Sequence, residues 1–235
     1  MRLTRATTKA IEYACKHFHY SRCNPLKSIG YNVYNGEDEW CGVILFGRGA
    51  NAQIASPYGL SQGQVLELTR VALNGKQETT SQAVAMSLKA LKKDYPLVRL
   101  VVSYADIDQH HLGTIYQATN WIFEGENGGG TRSGFMIHGI KTHNKTIWNK
   151  MVFEGGQWIH CPQTLEMVRK YFDPDATECF TQGKRKYLMP MDKQMRRKIL
   201  PLAKPYPKNE DWVKIDRNKF KTEKDGKRTE LETLP

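Results

Sequence analysis

Three consecutive stretches, residues 65–73 (VLELTRVAL), 79–94 (TTSQAVAMSLKALKKD) and 98–106 (VRLVVSYAD), decide the fold. The first and third are short, rich in β-branched and aliphatic residues, and read as strands. The third is apolar almost throughout, as expected of a strand covered on both faces. Between them Val84, Leu88 and Leu91 recur at i, i+4 and i+7, so the middle stretch is a helix. Thr79, Thr80 and Ser81 supply its N-cap, and Pro96 stops it. Strand, helix, strand is α/β alternation. Outward from this centre, residues 113–121 (GTIYQATNW) read as a second helix and residues 122–125 as a further strand. After a loop at Gly128-Gly129-Gly130, residues 135–140 continue the sheet. Upstream, residues 4–18 read as a first helix, followed by extended segments at 29–33 and 40–46. Downstream, helices are expected at 162–172 and 193–200, with a frayed end beyond Pro201.

The chain has 235 residues, 40% hydrophobic and 25% charged, which is a globular composition with room for a sizeable core. Mean hydropathy is -0.60 and no stretch approaches the length of a membrane span. Residues 1–5 (MRLTR) lack an apolar region behind their charges, so a signal peptide is not expected and a cytosolic setting is. Five cysteines, with no C-x-x-C pair, argue against a disulfide framework and a thiolate zinc site. The net charge is +11, and residues 183–235 hold +8 of it, as 16 Lys/Arg against 8 Asp/Glu. The expected organisation is therefore a catalytic domain over 1–182 and a basic, partly irregular extension over 183–235. Such an extension serves either a polyanion or solubility.

Ligands of open α/β sheets bind beyond the carboxyl ends of the strands. The first strand ends at Arg70 and runs through Asn74-Gly75-Lys76 to the Thr79-Thr80-Ser81 helix start, a phosphate cradle or an ordinary capped helix. The second ends at Ser103-Tyr104-Ala105-Asp106, with Asp108, His110 and His111 just beyond. This group suits a hard or borderline cation, acid–base work, or simple decoration of a helix entry. Asp106, where strand meets crevice, is the strongest candidate. Tyr116, one turn into the following helix, is placed to face the same crevice. Glu67 and Arg70 would point to opposite sides of a regular strand, and a β-bulge between them would turn both toward the site. His17, His19 and Tyr20 form a loop ahead of Pro25 that could cap a substrate.

These residues carry a resemblance. VLELTRVAL, helix, VRLVVSYAD and GTIYQATNW together are similar to the centre of the GNAT superfamily of acyl-CoA transferases, whose last motif is G-x-x-Y-x-x-x-G-F. More specifically, HYSRCNP (19–25), GVILFGRGAN (42–51), ELTRVAL (67–73), VVSYAD (101–106) and GTIYQATNW (113–121) resemble the Mom family of phage proteins. The likeness covers roughly residues 15–140, with a weaker block at GKRKYL (183–188).

The resemblance implies a GNAT-like mixed, splayed sheet flanked by helices. It implies an enzyme of the host cytoplasm that converts adenine N6 in double-stranded DNA to a carbamoylmethyl adduct, protecting the DNA from restriction endonucleases. A GNAT-like acyltransferase on another amine and a non-catalytic nucleic-acid-binding module are the alternatives. Fold kinship implies acetyl-CoA as donor, although the GNAT pyrophosphate loop [QR]-x-x-G-x-[GA] is absent and Asn74–Ser81 stands in its place. An aminoacyl-type donor, small or tRNA-borne, also fits, because the added group has the skeleton of glycinamide. Iron is implied as well, with His19, Tyr20 and Asp106 as ligands. On this likeness Asp106, Tyr116, His19 and Tyr20 are catalytic. Arg70, Lys76, Thr80, Ser81, Ser103 and Asn120 face the cofactor, and Lys184, Arg185, Lys186, Arg196, Arg197 and Lys198 bind DNA. Tyr20, Tyr58, Tyr104 and Trp121 are the aromatics available to stack on an extruded base.

Overall fold

The structure is a computed structural model that describes residues 1–25, 28–49 and 53–208. The chain opens with β1 (Arg2–Arg5), α1 (Thr8–Phe18), β2 (Ile29–Tyr34), β3 (Trp40–Gly47) and β4 (Val65–Leu73). It continues through α2 (Thr80–Asp94), β5 (Leu100–Asp106), α3 (Thr114–Gln117) and β6 (Ile122–Asn127). A second group follows: β7 (Arg132–Ile137), β8 (Ile140–His143), α4 (Asn144–Trp148), β9 (Met151–Glu154), β10 (Gln157–His160), α5 (Leu165–Tyr171) and β11 (Thr177–Phe180). The last described elements are β12 (Lys184–Pro190) and α6 (Lys193–Ile199).

The α/β alternation at the centre of the sequence builds a mixed sheet of seven strands in the order β1-β2-β3-β4-β5-β12-β6. Every neighbouring pair is antiparallel except β4 and β5. That parallel ladder holds only Val65, Leu66 and Glu67 against Leu100, Val101 and Val102. Beyond it the strands part, and the gap between them is the candidate site. α2 is fixed at the carboxyl end of β4 by its cap, where the Thr79 hydroxyl accepts from the Gln82 N–H at 3.1 Å.

Alternation sorts the core into two layers. On one face Ile44, Phe46, Leu66, Leu68 and Val101 pack with Val84, Leu88 and Leu91 of α2 and with Tyr116 and Trp121. On the other face Val43, Leu45 and Ala72 meet Ala14 and Cys15 of α1. There too Val65, Leu100, Val102 and Leu188 meet Met195 and Ile199 of α6. Each large aliphatic or aromatic side chain so buried contributes about 1.5–3 kcal/mol.

Three expectations are corrected. The first helix begins at Thr8, because residues 2–5 pair with β2 as an edge strand. The second central helix shrinks to Thr114–Gln117, since Asn120 turns left-handed (φ 61°) and redirects the chain into β6. Residues 135–137 do not extend the main sheet. They belong to β7 of a separate sheet, β11-β7-β8, which packs with α4, α5 and the β9–β10 hairpin around Phe135, Ile147 and Val168. The expected boundary at 182/183 lies just before β12, which sits between β5 and β6 in the central sheet. The chain also stays docked beyond α6, where the Lys204 N–H donates to the Phe123 carbonyl and the Tyr206 hydroxyl to that of Trp121.

The place of β12 in the sheet bears on the charge. Of the 16 Lys/Arg after residue 182, nine lie within 184–208 against one acid, Asp192, whereas residues 209–235 hold seven of each sign. The whole +8 excess therefore belongs to β12, α6 and the segment docked on them.

Candidate active site

Where β4 and β5 part, a cleft of about 510 Å³ opens, lined from β4 by Glu67, Arg70 and Val71 and from β5 by Tyr104 and Asp106. His19 and Tyr20 reach it from the end of α1, Thr80 from the start of α2, Tyr116 from α3 and Lys184 from β12. His110 and His111 stand on its rim.

A bulge makes this lining possible. Opposite β4, Leu45 pairs with Arg70 but Phe46 pairs with Leu68, so Thr69 is the extra residue. Its hydroxyl donates to the Leu45 carbonyl, and the alternation shifts by one. Glu67 and Arg70, three apart in sequence, consequently both line the cleft, as a bulged strand predicts.

Arg70 is half-buried. Its Nη1 donates to the Thr69 carbonyl at 2.7 Å, whereas its buried Nε has no partner among the described groups. A guanidinium with an unused buried donor at a cleft wall is suited to an anion, since burial strengthens charged hydrogen bonds.

Tyr116 forms the floor. Burial pushes its phenol up to about 12, against a smaller opposing effect of the Ser103 hydrogen bond. It therefore carries its proton at any working pH. Ser103 Oγ lies 2.8 Å from the Tyr116 oxygen and 2.9 Å from the Leu68 carbonyl. Tyr187 and Trp121, each with a ring centroid 5.0 Å away, fix the Tyr116 ring.

His19 is held as a neutral imidazole. Burial, then the charge of Arg70 and the neighbouring His111, brings it down to about 4. The Ser21 backbone N–H donates to its Nδ1 at 3.1 Å, so the free proton sits on Nε2. Its ring lies against Tyr20, 4.4 Å between centroids, and Tyr20 meets His111 edge-on. Burial and the Asp106 carboxylate raise the Tyr20 phenol. Asp106 itself closes β5, accepting the Asp108 N–H at 3.0 Å.

The cleft thus gathers Asp106, Tyr116, His19, Tyr20, Arg70, Thr80 and Lys184. It does not gather the rest. Lys76 points to Glu39 at 3.6 Å on the surface, the Ser81 hydroxyl turns back to Thr79, and Asn120 is exposed in the turn before β6. Ser103 lies behind Tyr116, buried, with its Oγ against the Tyr116 hydroxyl. Tyr58 and Trp121 are buried and cannot stack on a base, which leaves Tyr20 and Tyr104 in the cleft. On β12, Arg185 pairs with Glu126 and Lys186 with Glu124, each at 2.8 Å, while Arg196, Arg197 and Lys198 are exposed on α6.

The structure lends no support to the ligand set expected for iron. His19 Nδ1 and an Asp106 oxygen are already engaged with backbone N–H groups. Among the described residues, no three His, Cys, Asp or Glu side chains converge as a metal site.

The family model for the Mom protein family matches residues 1–208. The chain belongs to the Mom protein family. It is similar to the methylcarbamoylase mom of Escherichia phage Mu, 25% identical over 201 residues that cover 81% of this chain and 76% of that protein. Among solved structures, it is similar to a Bacillus subtilis acetyltransferase in complex with CoA (11% identity, TM-score 0.41, 80% and 97% of the two chains). It is also similar to a spermidine N-acetyltransferase from Vibrio cholerae (8% identity, TM-score 0.41, 84% and 99%).

For this Mom family chain, sequence reasoning missed Phe18 and Leu112 in the lining and the lobe formed by β7–β11. The lobe had a signal. Phe153-Glu-Gly-Gly-Gln-Trp158 places two glycines between alternating residues, a two-residue hairpin turn, and both glycines adopt positive φ (58° and 82°).

Proposed function

We propose that this chain is a phage DNA-modification enzyme that transfers a carbamoylmethyl group to adenine N6. Membership of the Mom family and the similarity to a methylcarbamoylase support the reaction class. The observation that carries the site assignment is the convergence of a carboxylate, Asp106, and a protonated phenol, Tyr116, on one cleft between β4 and β5.

In this reading an adenine is extruded from the duplex, at a cost of a few kcal/mol, and enters beside Tyr20 and Tyr104. Its exocyclic amine is a weak nucleophile because the lone pair is delocalised into the ring. Asp106 accepts the N6 proton as the new N–C bond forms. The bond between the donor carbon and its leaving group breaks, and Tyr116 protonates that group. Ser103 then turns its hydroxyl from the Leu68 carbonyl to the Tyr116 phenolate, which stabilises the charge left behind. The neutral His19 donates from Nε2 without adding a cation beside Arg70. Arg70 and Thr80 hold an anionic part of the donor. A CoA-type donor is compatible with these two residues, and so is an aminoacyl donor. Acetyl-CoA itself has neither the amide nitrogen of the adduct nor a leaving group on its methyl carbon, so the displacement written here calls for a donor that carries a leaving group on the carbon that joins N6.

Expression in a bacterium, followed by nucleoside digestion and mass spectrometry of the DNA, tests the reading. A modified deoxyadenosine is expected from the wild type, and none from Asp106→Ala. Unmodified DNA in cells holding soluble protein would sink it.

A further inference from the structure

The lobe of β7–β11 carries an unusual outer surface. In the β9–β10 hairpin Val152 faces the lobe core and Ile159 packs against it, while Met151, Phe153, Trp158 and His160 face out. Phe153 is paired across the ladder with Trp158, and Met151 with His160. The rings of Phe153 and Trp158 meet at 5.7 Å, yet the side chains remain 54% and 67% exposed. Trp148, at the end of α4, stacks on His160 at 5.0 Å with 15° between planes, and is itself 47% exposed. Two ladder pairs and the stacked indole make a strip roughly 10–15 Å long, from the strand rise of about 3.3 Å per residue. Exposed aromatics in a row, rather than scattered singly, mark a binding face.

Its charge selects the partner. From His138 to His160 there are three lysines, at 141, 145 and 150, and one carboxylate, Glu154. Glu154 is neutralised by Lys170 at 2.8 Å. Lys145 and Lys150 have no ion-pair partner among the described residues, and Lys145 shares a helical face with Trp148 at i, i+3. A protein partner for an apolar strip would not call for this cationic edge, whereas a nucleic acid needs both stacking faces and phosphate contacts. β8, which runs directly into α4 and Trp148, borders the cleft. Lys141 pairs with Asp108 at 3.2 Å, and Asp108 accepts the Gln182 N–H at 2.8 Å, two residues beyond Asp106. The imidazole of His143 lies close enough to Lys184, a cleft-lining residue, and to Lys141 and Lys145 for their charges to act on it.

We infer that the outer face of β9–β10, with Trp148, is a stacking surface for unpaired DNA bases, and that Lys145 and Lys184 mark the path of the backbone from it to the cleft. The inference rests on DNA being the substrate. It adds that the enzyme grips an opened strand beside the extruded base.

The test uses the full-length protein and single-stranded oligo(dT) and oligo(dA), with a hairpin duplex for comparison. Tryptophan fluorescence should be quenched on binding of the single strands. The double variant Phe153→Ala/Trp158→Ala should weaken that binding at least tenfold, because each stacked base contributes about 1–3 kcal/mol. Affinity for the closed duplex should change less than threefold. Trp158→Phe should retain affinity while losing part of the quench, and Lys145→Ala should flatten the salt dependence. Unchanged single-strand affinity in the double variant overturns the inference. So does a shift from dimer to monomer in sedimentation with DNA binding intact, which would assign the strip to a second copy. Modification of cellular DNA is measured alongside. If the wild type modifies DNA and the double variant does so equally, the inference fails while the function stands. If the wild type leaves DNA unmodified yet the single-strand quench persists and falls in the variant, the function fails and the stacking surface stands.

Discussion

Ser103 Oγ stands 2.8 Å from the Tyr116 hydroxyl and 2.9 Å from the Leu68 carbonyl, so one serine proton has two acceptors to choose between. When it points to Leu68, Tyr116 gives its own proton to Ser103. When it points to Tyr116, the phenol proton is free for the cleft. Ser103→Ala removes the choice and should lower DNA modification about fivefold to tenfold, the value of one ordinary hydrogen bond of about 1 kcal/mol. Tyr116→Phe should cost about 10²–10⁴ in rate, the typical contribution of a general acid. Quantitative nucleoside mass spectrometry at matched protein levels separates the two, and losses that simply add in the Ser103→Ala/Tyr116→Phe double variant would show that Ser103 does not act through Tyr116.

His19 links the site to stability. Its folded value of about 4 lies below the ordinary 6.5, so between these pH values the unfolded chain binds a proton that the folded chain does not. Stability should therefore fall as pH drops from about 6.5 to 4, with a ceiling near 3 kcal/mol from this group. His19→Gln should flatten that limb in urea melts recorded at pH 4.5 and 7. Arg70→Ala removes one of the two charges that hold the imidazole down, so the His19 ring signal in NMR titration should move toward 6.5. An unmoved titration would separate Arg70 from His19.

Much of the site was legible because it hangs on local pattern. VLELTRVAL and VRLVVSYAD announce buried strands, Thr79 announces the cap of α2, and the odd spacing of Glu67 and Arg70 calls for the bulge that Thr69 supplies. What was illegible depends on pairing and packing between segments distant in sequence. Residues 4 and 5 look like the start of a helix until β2 is there to pair with them. Lys184–Lys186 look like the start of a basic arm, because nothing local tells that β12 inserts between β5 and β6. Trp121 and Tyr58 offer themselves as stacking rings until packing buries them. Lys76 and Ser81 sit in the right loop but point away from the cleft, a matter of orientation that residue type does not determine.

Gly113 fixes the entry to α3. It holds φ at +75°, and a Cβ there would run into the Tyr187 ring, which packs tilted against Tyr116. Gly113→Ala should thus destabilise by about 2–4 kcal/mol, combining left-handed strain with overpacking. It should also reduce modification at temperatures where the variant is still folded, because Tyr116 moves with Tyr187. Thermal melting paired with a modification assay checks both, and a variant that melts like wild type would show that the ring has room to yield.

The charge distribution makes the last prediction. If the C-terminal extension were the handle on DNA, removing it would lower affinity. Yet residues 209–235 hold equal numbers of basic and acidic residues, and the excess lies in 184–208. Within it, Arg196, Arg197 and Lys198 form an exposed row on the last turn of α6 and have no ion-pair partner among the described residues. Truncation after Lys208 keeps the hydrogen bonds of Lys204 and Tyr206 that close the fold, and should leave DNA affinity and its salt slope within about twofold of wild type. Replacing Arg196, Arg197 and Lys198 by Ala should instead lower affinity. It should also reduce the slope of log K against log salt by about 0.9 for each phosphate that is no longer neutralised. Fluorescence anisotropy with duplex DNA over a salt series reads both, and a truncation that flattens the slope while the α6 variant does not would return the DNA handle to the extension.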